Sequence, residues 1–134
     1  MRGMSGSDGL VLTVIGDLFM RQKVAESLSA AGWESRNVAG PARLGDALAD
    51  RRPDCLVVQL DAGAFDGPDL VGALKGDPDR AAIPVLAFAG HTRVDVIRAA
   101  RAAGCDRVVT RGELQLRLDA LVGELVGAGA AEGS

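Results

Sequence analysis

The sequence CLVVQL at residues 55–60 is the stretch that decides the fold. Its apolar residues do not alternate with polar ones, and β-branched Val57 and Val58 lie at its centre, which is typical of a strand buried on both faces. Two further runs have the same character, LVLTVI at residues 10–15 and IPVLAF at residues 83–88. Strands of this kind occur in parallel sheets that are covered by helices on both sides.

The segments between these runs have helical periodicity. Met20, Val24 and Leu28 recur at helical spacing before Gly32, a residue that commonly ends helices. Weaker strand candidates lie at residues 34–38 and 106–110, and further helices are predicted near Pro41, Asp69, Val94 and Glu113. In the helix near Val94, we expect Val94, Ile97 and Ala100 to face inward.

Strand and helix therefore alternate five times along the chain. We predict an α/β fold with a single doubly wound, flavodoxin-like, five-stranded parallel sheet of strand order 2-1-3-4-5. The domain is expected to span residues 9–127. Residues 1–8 and 128–134 are rich in small residues and are predicted to be flexible tails.

The composition excludes several classes of function. The chain has 134 residues, 15 Lys and Arg against 18 Asp and Glu, and a net charge of −3, so no nucleic-acid partner is expected. It has neither a signal peptide nor an apolar run long enough for a membrane helix, so we predict a cytoplasmic protein without a membrane partner. Cys55 and Cys105 are predicted to be reduced, buried thiols. His91 is the only histidine, which argues against zinc sites and catalytic triads.

Ligands of doubly wound sheets bind at the carboxyl ends of the strands, which here lead into loops near residues 16–17, 59–67, 89–93 and 110–112. The glycines of these loops do not form the G-x-G-x-x-G pattern of dinucleotide sites. The cobalamin signature D-x-H-x-x-G is also absent, because the run from Asp17 has Phe19 and Gln22 in place of its histidine and glycine.

Four segments carry a resemblance to a known family: VIGDLFMRQKV at residues 14–24, PDCLVVQLDAGAFDG at 53–67, IPVLAFAGH at 83–91 and AAGCDRVVTR at 102–111. In this order and at these separations, the chain resembles the receiver domain of bacterial two-component response regulators. The resemblance implies phosphoryl transfer to an aspartate that ends the third strand, with Mg²⁺ held by an acidic pair after the first. It also implies a Thr or Ser ending the fourth strand and a Lys ending the fifth, which bind the phosphoryl oxygens.

The family's acidic and nucleophilic positions fall on residues that lack this chemistry. The acidic pair corresponds to Ile15 and Gly16, with Asp17 directly after it, so at most one acid remains. The nucleophile position is Gln59, and an amide cannot form an acyl phosphate.

The remaining positions have changed as well. The hydroxyl position is Ala89, the lysine position is Arg111 followed by Gly112 instead of proline, and the aromatic switch position is Val108. The sequence is therefore interpreted as a pseudo-receiver. Few residues follow the last predicted helix, so we expect a stand-alone, non-enzymatic signalling module that acts by protein–protein interaction without phosphorylation at Gln59.

Other interpretations of this site stay open. Asp61 could be the phosphoacceptor if the third strand were shifted by two residues, with Mg²⁺ held by Asp17 and Asp66. Separately, Asp17, Asp61 and Asp66 could together gather around a Mg²⁺ ion. Arg111 could bind an anion, or form a salt bridge with Asp17 that fills the pocket. The vacated pocket around Gln59 and Arg111 could also bind a small ligand. We expect no cofactor, with Mg²⁺ as the weak alternative.

A group of arginines is the candidate interaction face. It comprises Arg93, Arg98 and Arg101 of the fourth helix, with Arg107 and Arg117 nearby. Gathered on one side, they could recognise an acidic signalling partner, whose identity is unknown. A homodimer through the fourth helix, fifth strand and fifth helix is a further possibility, and the alternative is a solvated face of salt bridges.

Overall fold

The computed structural model describes residues 9–133, with side chains as far as residue 127. The strands are β1 (Leu10–Val14), β2 (Glu34–Asn37), β3 (Cys55–Gln59), β4 (Val85–Ala89) and β5 (Arg107–Thr110). The helices are α1 (Leu18–Ala30), α2 (Pro41–Asp50), α3 (Gly67–Lys75), α4 (Val94–Ala102) and α5 (Arg111–Gly133). All strands pair in parallel in one sheet of order β2-β1-β3-β4-β5, which confirms the predicted architecture.

The central strands are buried on both faces because helices cover both sides of the sheet. Side chains alternate between the two sides, so Leu56 and Val58 join a core with α2, α3 and α4. Val57 and Phe88 join a second core with α1 and α5 on the other side. Among the described residues, Thr13 and Gln59 are the only buried polar ones, and Gln59 lies at the end of a strand where ligands usually bind.

Capping side chains and glycines define the ends of three of the helices. Asp17 and Asp66 cap the N-termini of α1 and α3, each accepting a hydrogen bond from a backbone N–H of the first turn. Gly32 and Gly104 follow α1 and α4 with φ of 94° and 96°, a conformation that residues with a Cβ rarely adopt. Gly32 ends α1 as the sequence predicted, and Gly104 ends α4 in the same way.

Two details differ from the sequence-based expectations. Val94 was expected to face inward, but it is 50% exposed because it is the first residue of α4 and lies beyond the sheet. The helical run of α5 begins at Arg111, contains the non-helical Arg117 (φ −130°, ψ 21°), and continues to Gly133, past the expected domain boundary at residue 127. The predicted tail at residues 1–8 lies outside the described residues, and the flexibility of 128–134 stays a prediction.

None of the helices in the described part of the chain is long and apolar enough to cross a membrane.

Candidate functional site

The parallel register gathers the candidate site at one edge of the sheet. Gln59 is the last residue of β3 and lies beside Phe88, and Ala89 is the last residue of β4 and lies beside Thr110. Asp17 follows β1, and Arg111 follows β5. Residues far apart in the chain therefore meet where the strands end.

The side-chain amide of Gln59 forms hydrogen bonds with the loop after β1 and with the loop after β3. Its Oε1 accepts hydrogen bonds from the backbone N–H groups of Gly16 (3.0 Å) and Asp17 (3.1 Å). Its Nε2 donates to Oδ1 of Asp61 (3.2 Å). The side chain is 4% exposed, so these contacts satisfy polar groups that water reaches poorly. The amide fills the position where the resemblance implies a nucleophilic carboxylate.

Arg111 lies between two carboxylates. Its Nη1 is 3.2 Å from Oδ2 of Asp17, and its Nη2 is 3.9 Å from Oδ1 of Asp61. Its guanidinium also lies over the ring of Phe88, 5.8 Å from the ring centroid. Of the two alternatives considered for Arg111, the salt bridge with Asp17 is present in the structure, and Asp61 joins it.

The carboxylate of Asp17 makes two kinds of contact, one with each oxygen. Its Oδ1 accepts a hydrogen bond from the backbone N–H of Met20 (3.1 Å), while Oδ2 faces Arg111. The Met20 N–H and the nearby Arg111 charge hold the pKa of Asp17 below its usual range. Asp17 thus stays charged while it caps α1 and pairs with Arg111.

Asp61 is nearly enclosed. Its side chain is 11% exposed, and its Oδ2 accepts a hydrogen bond from the backbone N–H of Gly90 (3.0 Å). Oδ1 accepts from Gln59, so both oxygens are bound within the protein. The strand β3 ends at Gln59, whose pairing with Phe88 leaves Asp61 beyond the sheet. In this register Gln59, and not Asp61, is the last residue of β3, and phosphorylation of Asp61 stays an untested alternative.

The residues present do not fit a magnesium ion. Asp17 and Asp61 approach the same point, but the guanidinium of Arg111 already lies between them. Asp66 caps α3 by accepting from the N–H of Asp69 (2.9 Å). Within the described residues, His, Cys, Asp and Glu form no group of three or more that could hold a metal. Asp17, Asp61 and Asp66 therefore do not assemble the ligand set considered from the sequence.

Ala89 and Val108 occupy the two positions where the resemblance implies a hydroxyl and an aromatic side chain. Ala89 is fully buried and has no hydroxyl, and Val108 is a buried aliphatic residue. The hydroxyl of Thr110 accepts a hydrogen bond from the backbone N–H of Glu113 (3.2 Å), which caps the first turn of α5. Neither Ala89 nor Val108 has a polar side-chain group that could contact a phosphoryl group.

Three of the five candidate interface arginines are paired within the chain. Arg93 forms two 3.0 Å contacts with Asp95. Glu124 lies 3.3 Å from Arg107 and 3.4 Å from Arg117, and Arg117 also pairs with Glu113. Arg98 and Arg101 are exposed on α4, and the described part of the chain gives neither a carboxylate partner. The five arginines are thus not one uncompensated surface.

The remaining sequence candidates are not part of this site. His91 is exposed in the turn between β4 and α4. Cys55 is buried and Cys105 is half-buried, and both thiols are free. Burial raises the pKa of Cys55 to about 12 and that of Cys105 to about 11, so both are poor nucleophiles at neutral pH.

The sequence analysis missed two kinds of residue. Gly90 acts through its backbone N–H, which no residue pattern reveals. Leu18, Phe19 and Leu116 are large apolar residues that are 70%, 64% and 86% exposed. A signal was available for Leu18 and Phe19: three apolar residues in succession, Leu18 to Met20, cannot all face the core from one helix.

Comparison with solved structures identifies the fold. A signal receiver domain of a histidine kinase from Syntrophus aciditrophicus superposes with a TM-score of 0.80 at 22% identity, covering 90% of this chain and 91% of that one. A response regulator from Chloroflexus aurantiacus, itself described as putative, gives 0.81 at 19% identity over 89% and 98%. The receiver domain of NtrX from Brucella abortus gives 0.78 at 22% identity over 87% and 98%.

Neither a protein-family model nor a curated protein sequence matches the chain. At these identities, the structural likeness establishes the receiver-domain fold.

Proposed function

We propose that this chain is a receiver-like signalling module that takes no phosphoryl group at the usual position and acts through protein–protein contacts. The observation that carries the proposal is the amide of Gln59 at the carboxyl end of β3, hydrogen-bonded on both sides. An acyl phosphate needs a carboxylate at that position and cations to neutralise the incoming dianion. Gln59 supplies no carboxylate, and both carboxylates nearby already contact Arg111.

The same contacts support a fixed conformation. Arg111, at the start of α5, contacts the loop after β1 through Asp17 and the loop after β3 through Asp61. Asp61 in turn accepts from Gly90 in the turn after β4. These side-chain contacts join the loops after β1, β3 and β4 to the start of α5 after β5. In the proposal, a partner binds a surface that is already formed, and the chain itself has no catalytic role.

Arg98 and Arg101 are the candidate contacts for that partner. They lie on the exposed side of α4, where no described carboxylate neutralises them. An acidic surface on a cytoplasmic signalling protein would complement them. Arg93, Arg107 and Arg117 are less suited to this task, since their own chain already supplies their counter-charges.

The two alternative functions have less support. A phosphoacceptor role for Asp61 would require its carboxylate to give up its contacts with Gln59, Gly90 and Arg111. A ligand sensor requires space at the vacated site, whereas Gln59 and Arg111 make contacts inside the chain there. A cleft of about 650 Å³ does border Asp61, Asp66 and Arg93, but it lies beside these contacts and is not lined by Gln59 or Arg111.

The test is intact-protein mass after incubation with a small-molecule phosphodonor and Mg²⁺. We expect no phosphoryl adduct on the wild-type chain under conditions that label a control receiver with an intact aspartate. The Asp61→Asn variant is run in parallel as the matched control. An adduct on the wild type that disappears in Asp61→Asn would overturn the proposal in favour of phosphorylation at Asp61. Native mass spectra of the same samples would reveal a retained ligand, which would favour a sensor.

A further inference from the structure

An exposed apolar patch lies on the opposite side of the sheet from α4. Leu18 and Phe19 at the start of α1 and Leu116 in the first part of α5 are all more than half exposed. In the described part of the chain, the only other exposed large apolar residue is Val94, which is 50% exposed. Exposed apolar residues that gather on one surface mark interaction sites more often than scattered ones do.

A groove runs between α1 and α5 beside this patch. It consists of two clefts of about 210 and 270 Å³, which share Ser27, Gln115, Leu116 and Leu118 as lining residues. Lys23 lines the first cleft and also lies over the ring of Phe19, 5.5 Å from its centroid, so the patch and the groove are continuous. The apolar residues thus flank a concave surface that has room for side chains of another molecule.

The two ends of the groove carry opposite charges. Lys23 lines its first cleft, whereas Asp119 lines the second cleft together with Ala31 at the end of α1. A helix rises about 1.5 Å per residue, so the stretch from Lys23 to Ala31, the residue directly after α1, spans about 12 Å. Among the described residues, neither Lys23 nor Asp119 has an ion-pair partner.

We infer that two copies of this chain associate through this surface about a two-fold axis. In this arrangement the two grooves are antiparallel. Lys23 of each copy therefore faces Asp119 of the other, and Leu116 of each copy packs against the groove of the other. A surface with a cation at one end and an anion at the other is complementary to itself under a two-fold rotation. A second copy therefore satisfies both charges and covers the exposed apolar residues. This inference is independent of the signalling role proposed above.

The experiment is light scattering and sedimentation of the full chain from about 5 to 300 μM, a range that brackets weak, small interfaces. We expect a concentration-dependent dimer. Leu116→Asp is expected to weaken association by tenfold or more, because a carboxylate replaces the apolar side chain at the centre of the contact. Val94→Asp is the matched control, an equally drastic change at an exposed apolar position of α4, and is expected to leave association unchanged. Cooperative thermal unfolding verifies that both variants fold.

Charge reversal tests the proposed orientation. Lys23→Asp and Asp119→Lys are each expected to weaken association about tenfold, because each places like charges opposite one another. The double variant restores opposite charges across the two-fold axis, so its affinity is expected to return to within about threefold of the wild type.

Three results would overturn the inference. The first is a wild-type chain that stays monomeric over the whole concentration range. The second is a dimer that Val94→Asp weakens and Leu116→Asp does not, which would place the contact on α4. The third is a double charge variant as weak as the single ones, which would exclude the pairing of Lys23 with Asp119.

Discussion

An amide at residue 59 does what a carboxylate cannot do at the same position: it accepts and donates hydrogen bonds at once. Oε1 of Gln59 accepts from two backbone N–H groups after β1, and Nε2 donates to Asp61. A carboxylate there would face Asp61 with like charge. The residue that removes the phosphoacceptor chemistry therefore also contributes to holding the loops together.

Replacing Gln59 by Leu is expected to destabilise the fold by about 2–3 kcal/mol, because the N–H groups of Gly16 and Asp17 lose their acceptor in a place that water reaches poorly. Urea unfolding at neutral pH measures the change in the free energy of unfolding. Gln22→Leu is the matched control, since Gln22 is exposed on α1, and should change it by less than about 0.5 kcal/mol. Equal effects of the two substitutions would show that the hydrogen bonds of Gln59 add nothing to stability.

Asp17 makes the fold sensitive to acid. The N–H of Met20 and the charge of Arg111 lower its pKa in the folded state. The charged carboxylate therefore stabilises the fold above its unfolded-state pKa, and this stabilisation is lost as the pH falls through the folded-state pKa.

The Asp17→Asn variant still caps α1 but cannot titrate, so its melting temperature should fall less steeply than that of the wild type below about pH 4. Thermal unfolding between pH 7 and pH 3 measures the two profiles, with Asp46→Asn, at an exposed position of α2, as the control. Parallel acid profiles for the wild type and Asp17→Asn would contradict this account.

At the scale of the elements, Lys75 joins α3 to the opposite edge of the sheet from the candidate site. Its Nζ donates to the carbonyl oxygens of Ala81 and Ile83, at 2.9 Å each, and pairs with Asp106 just before β5. Asp106 also accepts a hydrogen bond from the N–H of Val85 at the start of β4 (2.8 Å). One half-buried lysine thus fixes the end of α3 against the starts of β4 and β5.

The Lys75→Met variant is expected to lose about 1–3 kcal/mol of stability, because two carbonyls and a carboxylate lose their donor while the apolar stem is kept. Chemical unfolding measures the loss. In the comparison variant Arg80→Met, a more exposed ion pair with Asp77 is broken, and the loss should stay below about 0.5 kcal/mol. A smaller loss for Lys75→Met than for Arg80→Met would refute this role of Lys75.

At the scale of the whole molecule, Arg111 is a cation supplied by the chain itself. It follows β5, yet it contacts Asp17 after β1 and Asp61 after β3, so it links segments distant in sequence across most of the sheet edge. Two carboxylates that converge on one point require a positive charge between them. A guanidinium that belongs to the chain meets this requirement without a divalent ion.

The wild-type protein should accordingly gain no thermal stability from millimolar Mg²⁺. The Arg111→Ala variant leaves Asp17 and Asp61 without their shared cation, so it should be less stable than the wild type and should regain part of the loss when Mg²⁺ is added. Melting temperatures with and without MgCl₂ measure both effects, and NaCl of equal ionic strength controls for screening. Mg²⁺ stabilisation of the wild type to the same extent as the variant would argue against Arg111 as the substitute cation.

Some features of the site could be predicted from the sequence, and others could not. Gln59 and Arg111 were recognisable because their positions relative to Gly67 and Gly104 are fixed by strand and turn lengths. The role of Asp61 was left open, because the register of β3 decides whether its carboxylate is free, and neighbouring strands set that register. The pairing of Arg107 and Arg117 with Glu124 also depends on where α5 lies against β5.

The sequence by itself determined the α/β class, the alternation of strands and helices and the absence of a carboxylate at residue 59, and it predicted the order of the strands that the structure shows. These follow from local runs of apolar residues, the alternation of strand and helix, and the identity of one side chain. Only the tertiary structure decided that Gln59, Asp17, Asp61 and Arg111 form one closed set of contacts. It also decided that Phe19 and Leu116 share one exposed surface. Such contacts join residues far apart in the chain, and the packing of helices on the sheet brings them within reach of each other.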